Sequence, residues 1–530
     1  QHAIYLEYQD APVINSNIIN MDRDPAYAIY LDYCDNALEV RKNKINVVQG
    51  DWGIYLDDCD GNDTQRGLIA NNFVTIQANG HSNGIRINNS TYQNIYHNSV
   101  YLTSGATGDN GSFYQTGGSN IVVKNNIFAN FGGHYAFNVK TPAAVTSDNN
   151  NYFATGNFLA YWNGNNEDLA ALQLANSSDA NSVSVNPAFL SASDLHTTTF
   201  RLEGLGATDV GITTDIDGEA RAGTFDMGAD EFTGAGTALA GTYTIGGTTG
   251  PTNFATFTEA VDSLNEVGIS SSVIFNVADK YYEEQISIWP IAGTDADNTV
   301  KFQSASGDSS KVEISFSSGT NNNYVVKFNG ADYITFKKMT ISATNASNSV
   351  VIWFGGSARN DSILNCIINA NTTGTTYNGA VDSWEANVNN LVIANNRISG
   401  GRYGITINSD DAAIIASGTK ILNNEISDQG RSSARGINLR YHNSPEVSDN
   451  IVNDADSYYY YSIFLQDCSD TLKILRNKLT SDNSYGGIIL NNCSGSTSKR
   501  GLVANNFVDL AGTDYAYGIY TYSSDWQNIF

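Results

Sequence analysis

Basic residues are what the chain is shortest of. Lys and Arg number 28 against 54 Asp and Glu, leaving a net charge of −26. A surface that acidic argues against a nucleic-acid backbone or an anionic membrane as partner. Charged residues of both signs make up only 15% of the 530, and Met (3) and Pro (7) are scarce. Gly, Asn, Ser, Thr and Tyr are abundant instead, the composition of a β-rich protein with a polar, uncharged surface, more typical of extracellular than of cytosolic helical proteins. No apolar run approaches the roughly 20 residues needed to cross a bilayer. Neither an initiating Met nor a charged and apolar leader stands at Gln1, so an export signal or anchor is expected outside these residues, and the chain is expected to act outside the cell or on its surface.

Helical periodicity is also missing from most of the chain, and repetition stands in its place. RGLIANNFV (from Arg66) returns as RGLVANNFV (from Arg500), 434 residues later. AIYLEYQDAPVINSNII (from Ala3) likewise pairs with GINLRYHNSPEVSDNIV (from Gly436), with one inserted residue absorbing the only slip. Repetition on this scale is read before anything else. The chain is expected to be a window slightly wider than one period of a longer repetitive protein.

A shorter period runs inside the long one. An Asn between apolar residues recurs as Asn17, Asn43, Asn72, Asn98, Asn126 and Asn151, and again as Asn365, Asn396, Asn424, Asn450, Asn477 and Asn506, at intervals of 25 to 31 residues. A second strand of the type (G/A)-I-Y-L precedes most of them. Apolar and polar residues alternate over four to six positions, and Gly, Asn and Asp clusters separate the runs, which is the pattern of half-buried strands. Units of about 27 residues cannot bury a core alone and must stack. The expected fold is therefore all-β, a right-handed parallel β-helix in which each unit is one coil rising by the inter-strand spacing of ~4.8 Å. Asn suits the bend between strands because it tolerates the left-handed backbone, and its amide can bond to the one stacked above it. A structural ladder, not a ligand site, is the expected role.

Cys34 and Cys59 each follow a strand Ile by five residues, and the pair returns as Cys468 and Cys493. Stacked in successive coils, their Cα atoms would lie within disulfide range, so either inter-coil disulfides or stacks of free thiols fit. Cys366 reads as a core residue. The coil pattern breaks twice. NEDLAALQLAN (Asn166 to Asn176) reads as a short helix, and TFTEAVDSLNEVG (Thr256 to Gly268) as a better one, with Ala260, Val261, Leu264 and Val267 on one face and Gly268 as stop signal. A helix laid over the open end of a coil stack covers an unpaired sheet edge. The unit boundary is placed near Gly234, giving one unit over 1–234 and the next over 235–530.

The run DNNNYF…NEDLAALQ…SVSVNPAF…TDIDGEARAGTFDMGADEF (from Asp148) resembles the closing segment of right-handed parallel β-helix proteins of the pectate-lyase-like superfamily. GTYTIGG…NFATFTEAVDSLNEVG…VIFNVADKYYEEQISI resembles the start of such a domain. In tandem they are similar to giant repetitive surface proteins of Bacteroidota exported by the type IX pathway. That resemblance implies an adhesin or filament, while one scaffold carries lyases, hydrolases, adhesins and fibres alike.

A lyase or hydrolase on this scaffold needs acidic residues converging with a base or with each other. In the overlap of the two copies Glu7 faces Arg440, Asp32 faces Gln466, Asp57 and Asp58 face Asn491 and Asn492, and Asp63 faces Thr497. Core apolar, Gly, Asn and Cys positions repeat; apart from an Asp22/Asp456 match at the slip, the acids do not. No catalytic residue and no cofactor is therefore assigned, although residues 97–433 occur once and lie outside that test. The cluster Asp57, Asp58, Asp60 and Asp63 is a weak calcium candidate, and its replacement by NNCSGST in the second copy argues against a required site. TDIDGEAR has Ala220 where a calcium loop needs Gly, and reads as a turn in which Arg221 pairs a nearby Asp. None of the six histidines sits in metal-ligand spacing. Tyr458 to Tyr461, Trp52, Trp162, Trp384 and Trp526 are the aromatics suited to gripping sugars, but stacking between coils is preferred for them. Taken together, these features lead us to expect a structural, adhesive surface filament without enzymatic activity, its partners being laterally associated copies of itself and surface glycans. The alternative is a modular glycan-binding or polysaccharide-degrading protein.

Overall fold

The computed structural model describes residues 2–23, 27–77, 81–103, 110–156, 158–317, 323–345, 349–371, 378–383, 386–409, 415–427, 434–454, 460–482, 484–511 and 516–530. Two units result, Gln1–Thr237 and Ala238–Phe530. Each is a parallel β-helix. The first winds three sheets, of eight, six and six strands, and the second three of twelve, nine and nine, with a small two-stranded sheet beside them. Every third strand in sequence pairs with its counterpart one coil away, as Ile4 with Ile29, Ile29 with Ile54, Ile54 with Ile85 and Ile85 with Phe113.

That register puts like on like down the axis. In the first unit Val40, Ile69, Ile95 and Val123 form one interior column, and Ile19, Ile45, Val74, Val100 and Phe128 another. In the second, Phe275, Phe302 and Phe336 stack with ring centroids 4.8 and 4.9 Å apart. The interior is narrow enough to forbid a side chain at some strand entries. A Cβ on Gly53 would lie 2.6 Å from the carbonyl oxygen of Gly84 and 2.3 Å from Val74, which is why a small residue opens the (G/A)-I-Y-L motif.

The asparagines form hydrogen-bonded ladders. Each Nδ2 donates to the Oδ1 of the next, from Asn17 to Asn43 to Asn72 to Asn98 to Asn126, at 2.9–3.0 Å, and from Asn396 to Asn424 to Asn450 to Asn477 to Asn506. Three details correct the sequence reading. The first ladder ends on Asn150, not Asn151. In the second unit Cys366, not Asn365, occupies the ladder position, its N–H donating to Asn396. The left-handed residue is the one before the ladder position: Lys42, Asn71, His97, Asn125, Asn365 and Asn395 all have φ between 50° and 61°. The bend and the ladder are thus two jobs given to neighbouring residues.

All five cysteines are buried free thiols, so the inter-coil disulfide option is not taken up. Each stacked thiol instead donates to a carbonyl one coil back, Cys59 to Leu31 at 3.5 Å and Cys493 to Leu465 at 3.4 Å. Helix α1 (Leu169–Asn176) starts on Asp168, whose side chain accepts the Ala171 N–H at 2.8 Å, and lays Leu172 on the end of the first stack. Leu174 is exposed. Helix α2 (Phe257–Val267) starts on Thr256, ends at Gly268, and buries Phe257, Ala260, Val261, Leu264 and Val267 over the start of the second.

After α1 the closing segment turns back along one corner of the coils, and the left-handed residues of that corner receive it. Asn71 donates to the Thr214 carbonyl (2.7 Å), Asn125 exchanges two bonds with Ala207 (2.8 and 2.7 Å), and Asn149 donates to Leu205 (3.0 Å). TDIDGEAR is a turn in which Asp215 accepts the Gly218 and Glu219 N–H groups. Arg221 is fully buried and pairs with Glu231 at 2.7 Å, not with an Asp, and its other nitrogen donates to the Gly228 carbonyl at 2.9 Å.

Candidate functional site

In a strand that alternates inward and outward, the residue between the two core positions must face solvent. In the sheet carrying A-I-Y-L that outward position is Tyr5, Tyr30, Tyr55, Arg86 and Tyr114 in successive coils. Tyr5 and Tyr30 stack with centroids 5.1 Å apart, Tyr30 and Tyr55 4.8 Å apart with ring planes nearly parallel at 7°. The Arg86 guanidinium lies over Tyr55, Trp52 and Tyr114, 5.3, 5.0 and 4.5 Å from their centroids. Three residues earlier in each strand a second row, His2, Tyr27 and Trp52, stacks at 5.0 and 4.3 Å.

Beside the tyrosines runs a row of acids, Glu7, Asp32 and Asp57, in register. Tyr5 donates to Asp32 at 3.3 Å, while Tyr30 and Tyr55 both donate to one oxygen of Asp57 at 3.3 and 2.8 Å. Burial pushes the Asp32 carboxyl above the usual carboxylate range, the Tyr5 hydrogen bond opposes that, and the charges of Asp57 and Glu7 add to it. Burial and then the charge of Asp57 push the Tyr30 phenol up strongly. These tyrosines are therefore fixed hydroxyl donors at any physiological pH.

The second unit builds the same sheet face differently. Phe464 takes the place of Tyr30 and Ile489 that of Tyr55, so no ring ladder runs through. The Arg435 guanidinium covers Phe464 at 4.0 Å. Tyr461 meets Tyr485 edge to face at 5.8 Å and Tyr485 meets Tyr517 likewise at 6.0 Å. Splayed rings leave a hollow of about 260 Å³, lined by Tyr461, Phe464, Tyr485, Ile489, Asn491, Tyr520 and Tyr522.

The four aspartates weighed for calcium do not converge. Asp57 is occupied by its tyrosines, and Asp60 accepts from Thr91 at 2.7 Å. Among the described residues, the group of three donor side chains that does come together, His196, Asp217 and Asp230, lies elsewhere. Sequence spacing missed it because its members come from separate loops of the closing segment. Trp162 is buried against Phe137 in the core, Trp52 is half-buried in the ladder, and Trp526 is exposed. Trp384, Tyr458 and Tyr459 lie outside the described residues.

Residues 359–530 match the family model described as periplasmic copper-binding protein (NosD). Among the described residues of that stretch no three His, Cys, Asp or Glu donors lie within 4.8 Å of one another, so those residues do not present a three-donor copper site. No curated protein matches the chain. Solved structures similar to it include the pectin methylesterase of Aspergillus niger (13% identity, TM-score 0.26, covering 56% of this chain and 91% of that one). The rice weevil pectin methylesterase is similar too (12%, 0.30, 54% and 88%), as is the PL6 family alginate lyase AlyGC (8%, 0.26, 97% and 77%). Likeness of this size is a resemblance only, and the coil fold stands on the chain's own strand register.

One expectation is corrected here. The expected absence of enzymatic activity is withdrawn, because the comparison of copies behind it fails on the chain's own geometry; the similar solved structures are themselves named as enzymes. Repetition of carboxylates between copies detects only a site that both copies share. The Glu7, Asp32 and Asp57 row is a carboxylate constellation present in one unit.

Proposed function

We propose that the chain is an exported glycan-binding protein that receives a polysaccharide along the outward face of its (G/A)-I-Y-L sheet. The carrying observation is the hollow of the second unit. Two of its rings, Tyr461 and Tyr485, stand edge to face instead of stacking, so ring surface stays open, with the Asn491 amide beside it. An aromatic surface next to an amide is the pairing that holds a sugar ring by stacking and hydrogen bonding, and about 260 Å³ suits a single sugar unit of a longer chain. In the first unit the carboxylate row supplies hydrogen-bond acceptors and is the place where general acid or base chemistry on a bound chain would occur. A net charge of −26 disfavours polyuronates by like-charge repulsion, so the substrate class is a neutral glycan. Export is supported by the composition and by the periplasmic description of the matching family model.

Binding to an array of neutral and acidic polysaccharides tests this. The expected result is retention of neutral glycans that Tyr485→Ala and Tyr520→Ala each weaken about tenfold or more. Retention of none, or retention unchanged in both variants, sinks the reading. A second reading, a unit of an adhesive surface filament with laterally associated copies, draws support from the 434-residue repetition in which packing residues persist and surface residues change. Electron microscopy of native surface material separates it: long fibres with an axial repeat support it, isolated short rods reject it.

A further inference from the structure

The closing segment of the first unit holds a donor set that neither the coil fold nor glycan binding accounts for. Nε2 of His196 lies 2.7 Å from Oδ2 of Asp217 and 3.9 Å from Oδ1 of Asp230, and the three donor atoms all lie within 4.8 Å of one another. We propose that these three side chains form a binding site for a divalent first-row transition metal, of which Zn2+ is the representative, clasping together three loops of the closing segment.

Orientation is the first support. The imidazole is aimed by contacts outside the donor set: Nδ1 is hydrogen-bonded to Asp194, and the ring meets Phe73 edge to face at 4.9 Å and 88°. A carboxylate that accepts the Nδ1 proton leaves the Nε2 lone pair for a metal, and this outer partner is the usual companion of a ligating histidine. Spacing is the second. Donors at about 2.0–2.1 Å from a tetrahedral metal stand roughly 3.3 Å apart; the 2.7 and 3.9 Å separations bracket that value, and the two carboxylate oxygens lie within 4.8 Å of each other, so the loops need only close slightly around an ion. Charge partition is the third. Lys44 holds the other oxygen of Asp217, Oδ1, at 2.9 Å, which fixes the carboxylate with Oδ2 facing His196. One imidazole nitrogen with two carboxylates selects zinc and its neighbours over calcium, which takes oxygen alone, and over Cu(I), which prefers sulfur. The side chains of His196 and Asp217 are 29% and 41% exposed, leaving a fourth position for water.

The arrangement that competes with this is an imidazolium held directly by the three carboxylates. Isothermal titration of the metal-stripped 530-residue chain with ZnCl2 separates the two. One equivalent taken up, with His196→Ala and Asp230→Asn each weakening binding more than about tenfold and Asp194→Asn weakening it about tenfold through the outer contact, is the expected result. Absence of one-to-one uptake, or uptake unchanged in both ligand variants, overturns the site. Should a variant fail to fold, the wild-type chain decides: Zn2+ is expected to slow modification of His196 by diethyl pyrocarbonate at least tenfold, and an unchanged rate overturns the proposal. Glycan binding is not needed for either readout.

Discussion

The two units share an interior and differ on one face. In the first, Tyr5, Tyr30 and Tyr55 follow one another in three successive coils, so their rings cover one another and offer solvent mainly edges and hydroxyls tied to Asp32 and Asp57. In the second, the same positions hold Asn438, Phe464 and Ile489, the ladder is broken, and an aromatic hollow opens. A like-on-like column satisfies itself. An interrupted one leaves surface for something else, and the acids that steadied the tyrosines have gone with it, Asp57 giving way to Asn491. The coil specifies its inward residues tightly and its outward residues hardly at all.

If the interior is what the units share, breaking it must hurt both alike, and this is the largest effect expected. Asn98→Ala and Asn424→Ala each remove an amide that joins three coils. Without Asn424, the N–H and Nδ2 of Asn396 each lose an acceptor, and the Ile393 carbonyl loses a donor. Buried polar groups left unpaired cost about 1–3 kcal/mol each, so a loss of about 3–5 kcal/mol is expected in either unit, read by denaturant unfolding. A loss in one unit only would show that the ladders are not equivalent.

A subtler difference lies inside the second unit. Asp361, fully buried at the entry of the strand Ser362–Leu364, accepts the Ile334 N–H at 2.8 Å, and burial pushes its carboxyl far above the usual range. The first unit has Leu38 at the entry of its strand Glu39–Arg41. The folded chain thus keeps a proton that the unfolded chain releases near pH 4. Stability from this group is full below that pH and declines as pH rises toward the folded value. Asp361→Asn is expected to leave unfolding unchanged near pH 3.5 and to raise the midpoint at pH 8. An equal shift at both pH values would remove the titration from the explanation.

Binding comes next. Tyr30→Ala opens a gap in a self-covered ladder and is expected to change glycan retention less than Tyr485→Ala, which removes a wall of the hollow. Retention measured for the two variants side by side sharpens the contrast, and a larger loss from Tyr30→Ala would move the sugar track to the first unit.

Much of this was legible in the sequence because period-2 strands repeating every 25 to 31 residues admit few folds. The ladder was legible too, but off by one residue where asparagines run together: Asn149, Asn150 and Asn151 read alike, and only the backbone separates the left-handed Asn149 from the ladder Asn150. Cys366 was hidden because a thiol does not announce itself as an Asn equivalent. His196, Asp217 and Asp230 share no local motif, so only the return of the closing segment over the coils brings them together. The acids of the first unit were visible and discounted, since comparison between copies cannot see what one copy alone has.

The smallest effect expected tests the outer side of the comparison. Arg476 makes two 2.7 Å bonds to Asp449 one coil below, while the first unit has Lys42 and Ser16 at those places and no such pair. Both partners in the second unit are left-handed residues preceding a ladder Asn, with φ of 53° and 60°, so the backbone there is set by the ladder and not by the salt bridge. An exposed ion pair gains little in water and is screened by salt. Arg476→Lys with Asp449→Ser, which copies the first unit, is accordingly expected to leave the unfolding midpoint unchanged at 150 mM salt. A clear drop would mean that outward positions of this corner carry structural weight, and that the freedom seen on the aromatic face does not extend around the coil.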